Sequence, residues 1–343
     1  TGVNTHRLNY MEDFADSFQE KAGKYSVEQF HRILDKIQKL PPNYKAWNLG
    51  LASALACCAF TFLLGGGIVE MICAFFGAGI GNFVRKLLLE KHITLLANVT
   101  IGVASACCVY VLLLELAEII MGVSSVHQAG YICSMLFIIP GFPLITGGLD
   151  LAKLDLRSGL ERITYALLII TMATFTGWIT ATIFKFHPSE FTEMQINPVL
   201  MLLFRLITSF CGVYGFSLMF NSPRKMAFTA GIIGMIANTL RLELIDFTSI
   251  PVSVAAFIGA LCAGLLASAI KKRIGFPRIT ITVPSIVIMV PGMFMYKGIY
   301  YIALNDIQTG ALWITKALLI VAALPLGLIF ARILTDKNFR QSS

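Results

Sequence analysis

Beyond residue 45, apolar positions in this chain do not alternate with polar ones at the period of a strand or of an amphipathic helix; they run on without interruption. Stretches free of Asp, Glu, Lys and Arg cover 46–69, 93–114, 119–149, 163–184, 247–270 and 279–296. A helix that crosses a bilayer needs roughly 20 mostly apolar residues, so each stretch predicts a span. Four more, 71–84, 194–220 around Arg205, 226–240 and 307–331 around Lys316, bring the expectation to ten. A soluble helical protein would carry polar stripes at helical spacing, and a membrane barrel would show short alternating segments. Neither pattern is present, and the expected fold class is an all-α polytopic membrane protein.

Residues 1–45 differ, because acids and bases are mixed throughout. Ser26 with Phe30, Ile33, Leu34 and Ile37 marks a capped amphipathic helix, which Pro41 and Pro42 end. Trp47 falls where an interfacial aromatic belongs. The expected organisation is a cytosolic helical segment at 1–45, a first five-helix membrane unit at 46–186, a second at 194–335 and a cytosolic tail at 336–343.

Two prolines and three glycines interrupt the apolar run in IIPGFPLITGG at 138–148. Displacing the chain against itself by 151 residues lays 134–170 on 285–321, with 13 of 37 positions identical. The matches pair Pro140 with Pro291, Gly141 with Gly292, Gly147 with Gly298, Asp155 with Asp306 and Gly159 with Gly310. Apolar bias alone matches leucines, not glycines, prolines and aspartates in register. Five expected crossings separate equivalent positions, so the second copy is expected upside down. Inverted repeats with broken helices are an architecture of secondary transporters, whose site lies near the midplane where the breaks meet. The spans 71–84 and 226–240 read as short and Gly-bearing, a further mark of substrate-lining elements.

Composition agrees with a bilayer: 57% of residues are hydrophobic and 13% charged. The net charge of +8 raises the question of nucleic acid, but the cations collect in every second connection, as the positive-inside rule requires. Arg85, Lys86 and Lys91; Lys153, Arg157 and Arg162; Arg224 and Lys225; Lys271 to Arg273 and Arg278; and Arg332, Lys337 and Arg340 form the internal set. The external connections hold little beyond Lys185, Arg241 and Lys297. Both termini are therefore expected in the cytoplasm. No signal peptide is visible, and a first residue of Thr rather than Met suggests that sequence precedes it. The eight cysteines lie inside apolar runs, read as packing residues. Neither a metal-ligand spacing nor a catalytic motif such as HExxH, GxSxG or a P-loop is present, so no cofactor and no enzyme activity are expected.

Candidate residues follow from the cost of polarity in hydrocarbon. A helix-interior proline removes a hydrogen bond at ~3 kcal/mol or more in water, and freed backbone at this depth must be buried in protein or face a wet cavity. Pro140, Gly141, Pro143, Thr146 and Gly147 at the first break, with Pro291, Gly292 and Lys297 at the second, are candidate substrate-binding residues; packing kinks, and snorkelling for Lys297, are the plainer readings. Asp150 and Arg205 join them as charges within or beside spans, Arg205 either binding a carboxylate or pairing with an acid such as Glu70. Asn238 joins as a polar group that equally suits an interhelical hydrogen bond. Asp150, Asp155, Asp306 and Glu70 are candidates for proton coupling, with helix capping the competing role for the aspartates.

The stretch PGFPLITGGLDLAKLDLRSGLERITYALLI resembles the hallmark of the threonine/serine exporter family, a Pro-Gly-x-Pro-Leu followed by an Asp, a Gly-Asp, a Ser-Gly and an Arg. Pro140, Gly141, Pro143, Leu144, Asp150, Asp155, Ser158, Gly159 and Arg162 match, while Lys153 and Leu154 stand where a small residue is usual. Pro284, Pro291, Gly292, Tyr296, Lys297 and Gly298 resemble the family's second membrane domain, with its Pro-Gly and Tyr-[Arg/Lys]-Gly. The resemblance implies a ten-span secondary transporter of the bacterial inner membrane, an antiporter exporting threonine and serine on the proton motive force. Its partners would be the amino acid, a proton and the lipid bilayer, and a homo-oligomer is compatible with it. A transporter or channel for another small solute, such as an organic acid or peptide, is the alternative reading.

Overall fold

The computed structural model describes residues 3–122, 127, 130–186, 191, 194 and 196–340, which form helices joined by short turns, with no strand among them. Three short helices come first: α1 (Thr5–Asp16), α2 (Phe18–Lys21) and α3 (Val27–Gln38). The capping box at Ser26 is formed. Its hydroxyl accepts from the Gln29 amide at 3.3 Å, and the Gln29 side chain accepts from the Ser26 amide at 2.8 Å. Phe14, Phe18 and Phe30 pack together and hold α1, α2 and α3 as a small cluster.

This segment is fastened to the membrane part through one turn. The Thr5 amide donates to the Phe220 carbonyl at 3.0 Å, and its hydroxyl meets that of Ser222 at 2.7 Å; both residues are fully buried. Asn221, held at a φ of 61°, receives the Asn43 amide at 2.7 Å and donates to the Asn4 side chain at 3.0 Å. Tyr44 donates to the Ser222 carbonyl at 2.8 Å.

The membrane part runs α4 (Ala46–Leu63), α5 (Ile68–Glu90), α6 (Leu95–Met121), α7 (Tyr131–Ser134), α8 (Gly141–Ala152), α9 (Leu156–Ile183), α10 (Pro198–Met219), α11 (Arg224–Phe247), α12 (Val252–Ile274), α13 (Arg278–Ile286), α14 (Gly292–Ala303) and α15 (Ile307–Thr335), with α16 (Lys337–Arg340) at the end. Eight of these are long and apolar enough to cross a bilayer. Two bent pairs, Tyr131–Ile138 with Gly141–Ala152 and Arg278–Met289 with Gly292–Ala303, pass the same test together, at bends of 54° and 49°. Outward-facing side chains such as Ile119, Phe247, Leu318 and Phe330 are exposed, as a lipid-facing surface demands.

The expected short spans are corrected. α5 has 23 residues and α11 has 24, because Arg85, Lys86, Arg241 and Glu243 lie inside these helices, where a count of uncharged residues stops early. Arg241 is therefore not in an external connection.

The two bent pairs share their backbone geometry at the break and in the turn that follows the second helix. Pro140 has φ −80° and ψ 61°, and Pro291 −81° and 57°, the centre of an inverse γ-turn in each case. Gly141 accordingly donates to the Ile139 carbonyl at 2.8 Å and Gly292 to that of Val290 at 2.9 Å. Leu154 and Asn305 both take left-handed φ values, 65° and 63°. Asp155 and Asp306 then cap α9 and α15, accepting from Ser158 at 3.3 Å and Thr309 at 3.2 Å. The bent pairs also share partners, since α8 packs on α9 and α15 while α14 packs on α15 and α9. At the centre α4 and α10 touch closely: a Cβ on Gly215 would lie 2.5 Å from the Ala52 carbonyl, the small-residue packing usual in membranes.

Replacing Asn221 by Ala removes its side-chain bonds to Asn4 and Asn43 and leaves a left-handed residue without the side chain that favours it. The expected loss is about 1–2 kcal/mol, read by hydrogen exchange as roughly tenfold faster exchange of the Thr5 amide. Unchanged exchange there would show that the turn does not hold the segment.

Candidate functional site at the paired helix breaks

The two breaks face each other. A Cβ on Gly141 would lie 2.6 Å from Val287 Cγ2, and one on Gly292 3.1 Å from both Ile139 Cγ1 and Leu136 Cδ2. Between them is a cavity of ≈ 20 Å³, room for about one water. Its lining falls into equivalent pairs: Gly141 with Gly292, Ile139 with Val290 and Leu136 with Val287 at the repeat offset, and Phe60 with Phe216 from α4 and α10. The conformation is closed at this level.

Phe60 and Phe216 are 156 positions apart, and that second offset also pairs Ser53 with Ser209, Asn82 with Asn238 and Arg85 with Arg241. Asn82 donates to the Leu49 carbonyl at 2.8 Å and Asn238 to the Ser209 hydroxyl at 2.9 Å, so each ties a second helix to the one before it. In both, the buried carbonyl oxygen has no partner. The Arg85 and Arg241 Nε atoms are also buried and unpartnered. Arg241 Nη1 reaches the Met289 carbonyl at 3.5 Å, an acceptor just ahead of the second break.

Around the breaks, Thr146 is buried and donates to the Phe142 carbonyl at 2.9 Å, filling an acceptor of its own helix. Its counterpart Lys297 is 4% exposed. Rather than snorkelling, it lies over the Trp313 ring with Nζ 4.8 Å from the centroid, a cation–π contact. Tyr131 of α7 and Tyr296 of α14 join the two bent pairs through their hydroxyls at 2.6 Å, both side chains being buried.

The acids lie away from the breaks. Glu70, at the start of α5, is buried and pairs with His127, Oε1 to Nδ1 at 2.6 Å, while its Oε2 has no partner. Tyr110 donates to the His127 carbonyl at 2.7 Å. Asp150 lies 3.1 Å from Arg162 without hydrogen-bond alignment. Asp155 and Asp306 are exposed caps, and the Ser158 hydroxyl and amide hold the Asp155 carboxyl below its ordinary range. Arg205 pairs with Glu243 at 2.8 Å and also with Asp246, not with Glu70. The structure thus brings Pro140, Gly141, Pro291 and Gly292 together, with Thr146 and Lys297 on the helices that follow. It leaves Arg205, Glu70, Asp150, Asp155 and Asp306 on separate partners. Pro143 is the third residue of α8, in its first turn, and Gly147 packs on α9 beside Ile163.

Sequence reasoning passed over Tyr131, His127, Arg85 and Arg241. The second offset would have exposed the arginines, because Asn-x-x-Arg occurs in both helices as NFVR and NTLR.

A family model described as "Putative threonine/serine exporter" matches residues 1–184, and a second, "Threonine/Serine exporter, ThrE", matches 205–334. The chain belongs to the threonine/serine exporter family. Both of its membrane domains are on this one chain, which is thus a multi-pass membrane protein of a transporter family. Two curated relatives carry the name "Probable succinate transporter subunit YjjP". The one from Escherichia coli K12 is 30% identical over 41% of this chain and 53% of its own length. The one from Klebsiella aerogenes is 27% identical over 52% of this chain and 66% of its own length. No solved structure gives a significant match.

In this exporter-family chain the close approach of the breaks is directly testable. Gly141→Ala drives a methyl group into Val287, an overpacking that costs roughly 1–3 kcal/mol, so the melting temperature of the purified protein falls. Val287→Ala on the same chain restores it. A melting temperature unmoved by Gly141→Ala would mean that the breaks do not meet.

Proposed function

We propose that the chain is a secondary active transporter that exports small carboxylate-bearing metabolites, threonine and serine first among them, by alternating access. The observation that carries this reading is the meeting of two equivalent Pro-Gly breaks at a cavity lined in pairs. In this reading the bent pairs are the fourth and ninth of ten spans, the two halves are inverted, and the membrane is the bacterial inner membrane. Cation placement supports a cytoplasmic position for the end that carries the N-terminal segment. Exchange of roles between equivalent halves then opens the breaks to one side or the other. Unpartnered amide oxygens on Asn82 and Asn238 are acceptors of the kind an ammonium needs, and Lys297 is a buried cation of the kind a carboxylate needs. Glu70 suits the coupling proton best, since it is buried with one oxygen open beside a titratable histidine.

A second reading is a short dicarboxylate as substrate. It is favoured by Lys297, the charged side chain on the helix following the second break, and by the succinate named in the relatives' descriptions.

Proteoliposomes loaded with labelled L-threonine, L-serine or succinate distinguish the two readings. The preferred solute leaves faster under an imposed pH gradient, and Glu70→Gln removes that acceleration while Asp155→Asn retains it. Release equal to that of protein-free liposomes for all three solutes would overturn the transport reading. Release insensitive to the gradient would overturn the coupling.

A further inference from the structure

At the end of the molecule that carries α1 and α16, a cavity of ≈ 720 Å³ opens between α8, α12, α13 and α15, within the size range of small-molecule sites. Both bent pairs contribute walls. Leu149 and Lys153 close the first, while Arg278 and Thr282 belong to the start of the second. At its inner limit, beyond Leu149 and Leu328, the bundle is tight, for a Cβ on Gly148 would lie 2.6 Å from Pro325 Cγ. The cavity is thus a vestibule that stops short of the breaks.

Its charge is not balanced. Lys153, Arg278, Arg332 and Lys337 line it against Glu12 and Asp336. Arg332 is paired with Asp336 at 3.3 Å. The Arg278 guanidinium is fixed by neutral acceptors, Nη1 donating to the Thr335 hydroxyl at 3.0 Å and Nη2 to the Gly264 carbonyl at 3.2 Å, with Arg332 and Asp336 both within electrostatic reach of it. Thr335 is itself oriented by donating to the Ala331 carbonyl at 2.7 Å. Lys153 has no ion-pair partner among the described residues. A cleft with an excess of one sign of charge concentrates counter-ions, and a guanidinium whose hydrogen bonds go to neutral acceptors can still take a carboxylate.

We propose that this vestibule is a binding site for short dicarboxylates, in which Lys153 of the first bent pair and Arg278 of the second each take one carboxylate group. The site rests on the transporter reading for its role, as the place where substrate is held before the bent pairs part. A ligand bridging two units differs from one bound by a single unit in needing both charges at once. A monocarboxylate or a zwitterion engages one cation only, so the vestibule discriminates by the number of carboxylates.

The test is calorimetric titration of the full chain in nanodiscs of zwitterionic lipid, with succinate, acetate and L-threonine as probes. Succinate is expected to bind, and Lys153→Gln and Arg278→Gln each to weaken it by roughly tenfold or more, the loss of one charge-assisted hydrogen bond. Raising salt weakens it as well, because surface charges are screened beyond ~8–10 Å. The Lys153 side chain, at the end of α8, is exposed and makes no ion pair among the described residues, so Lys153→Gln keeps the fold intact if Arg278→Gln does not assemble. Equal succinate affinity in the wild type and Lys153→Gln overturns the site, as does equal affinity for acetate and succinate. In a second set of nanodiscs containing anionic lipid, abolition of succinate binding identifies a headgroup site and also overturns it. Flux in proteoliposomes separates the two levels. Succinate transport with an unchanged KM in Lys153→Gln sinks the vestibule and leaves the transporter. Lys153-dependent binding with no flux of any solute sinks the transporter and leaves a binding site.

Discussion

Hydrocarbon offers no hydrogen bonds, so every backbone group inside the bilayer must be satisfied by the protein. The two Pro-Gly breaks violate the simplest solution to that constraint, and the rest of the bundle is arranged to contain the violation. Inverse γ-turns return one bond at each break, through Gly141 and Gly292. The remaining irregular backbone is buried by the opposite break, by Phe60 and Phe216 from the central α4 and α10, and on one side by Arg241. Small residues are required there for the same reason. Neither glycine has room for a methyl group without displacing a side chain of the other bent pair.

Much of this was legible in the sequence because glycines and prolines are sparse, positional and tied to backbone geometry. The 151-residue register found from Pro140, Gly141, Asp155 and their counterparts is the register in which the dihedral angles coincide. Caps were legible too, since Ser26 with Gln29 and the two aspartates act through neighbours three residues away. The lengths of α5 and α11 were not. A charge-free run measures where charges are absent, whereas a helix in a bundle can bury an arginine against another helix, as Arg241 does. Nor could spacing reveal that Glu70 meets His127 or that Tyr131 meets Tyr296, contacts separated by 57 and 165 residues. Those pairings depend on how distant helices are juxtaposed, and no local pattern encodes it.

The halves share a backbone but not a chemistry. Thr146 spends its hydroxyl on its own helix, while the equivalent Lys297 puts a charge against Trp313. Arg205 has Glu243 and Asp246 beside it, whereas Leu49 stands at the matching position of α4. The common scaffold supplies two similar packings, and these few substitutions decide what each packing holds.

The attachment of the N-terminal segment has a consequence for how the chain is made. Thr5 finds its hydroxyl partner in Ser222, 217 residues later. At a synthesis rate of roughly 5–20 residues per second, that partner emerges about 10–40 s after Thr5 itself. During that interval α1 and α3 have only each other and the Phe14, Phe18 and Phe30 cluster to keep them folded. The segment must therefore be a self-sufficient piece before it is a fitted one, which accounts for a complete capping box on a helix with one buried residue.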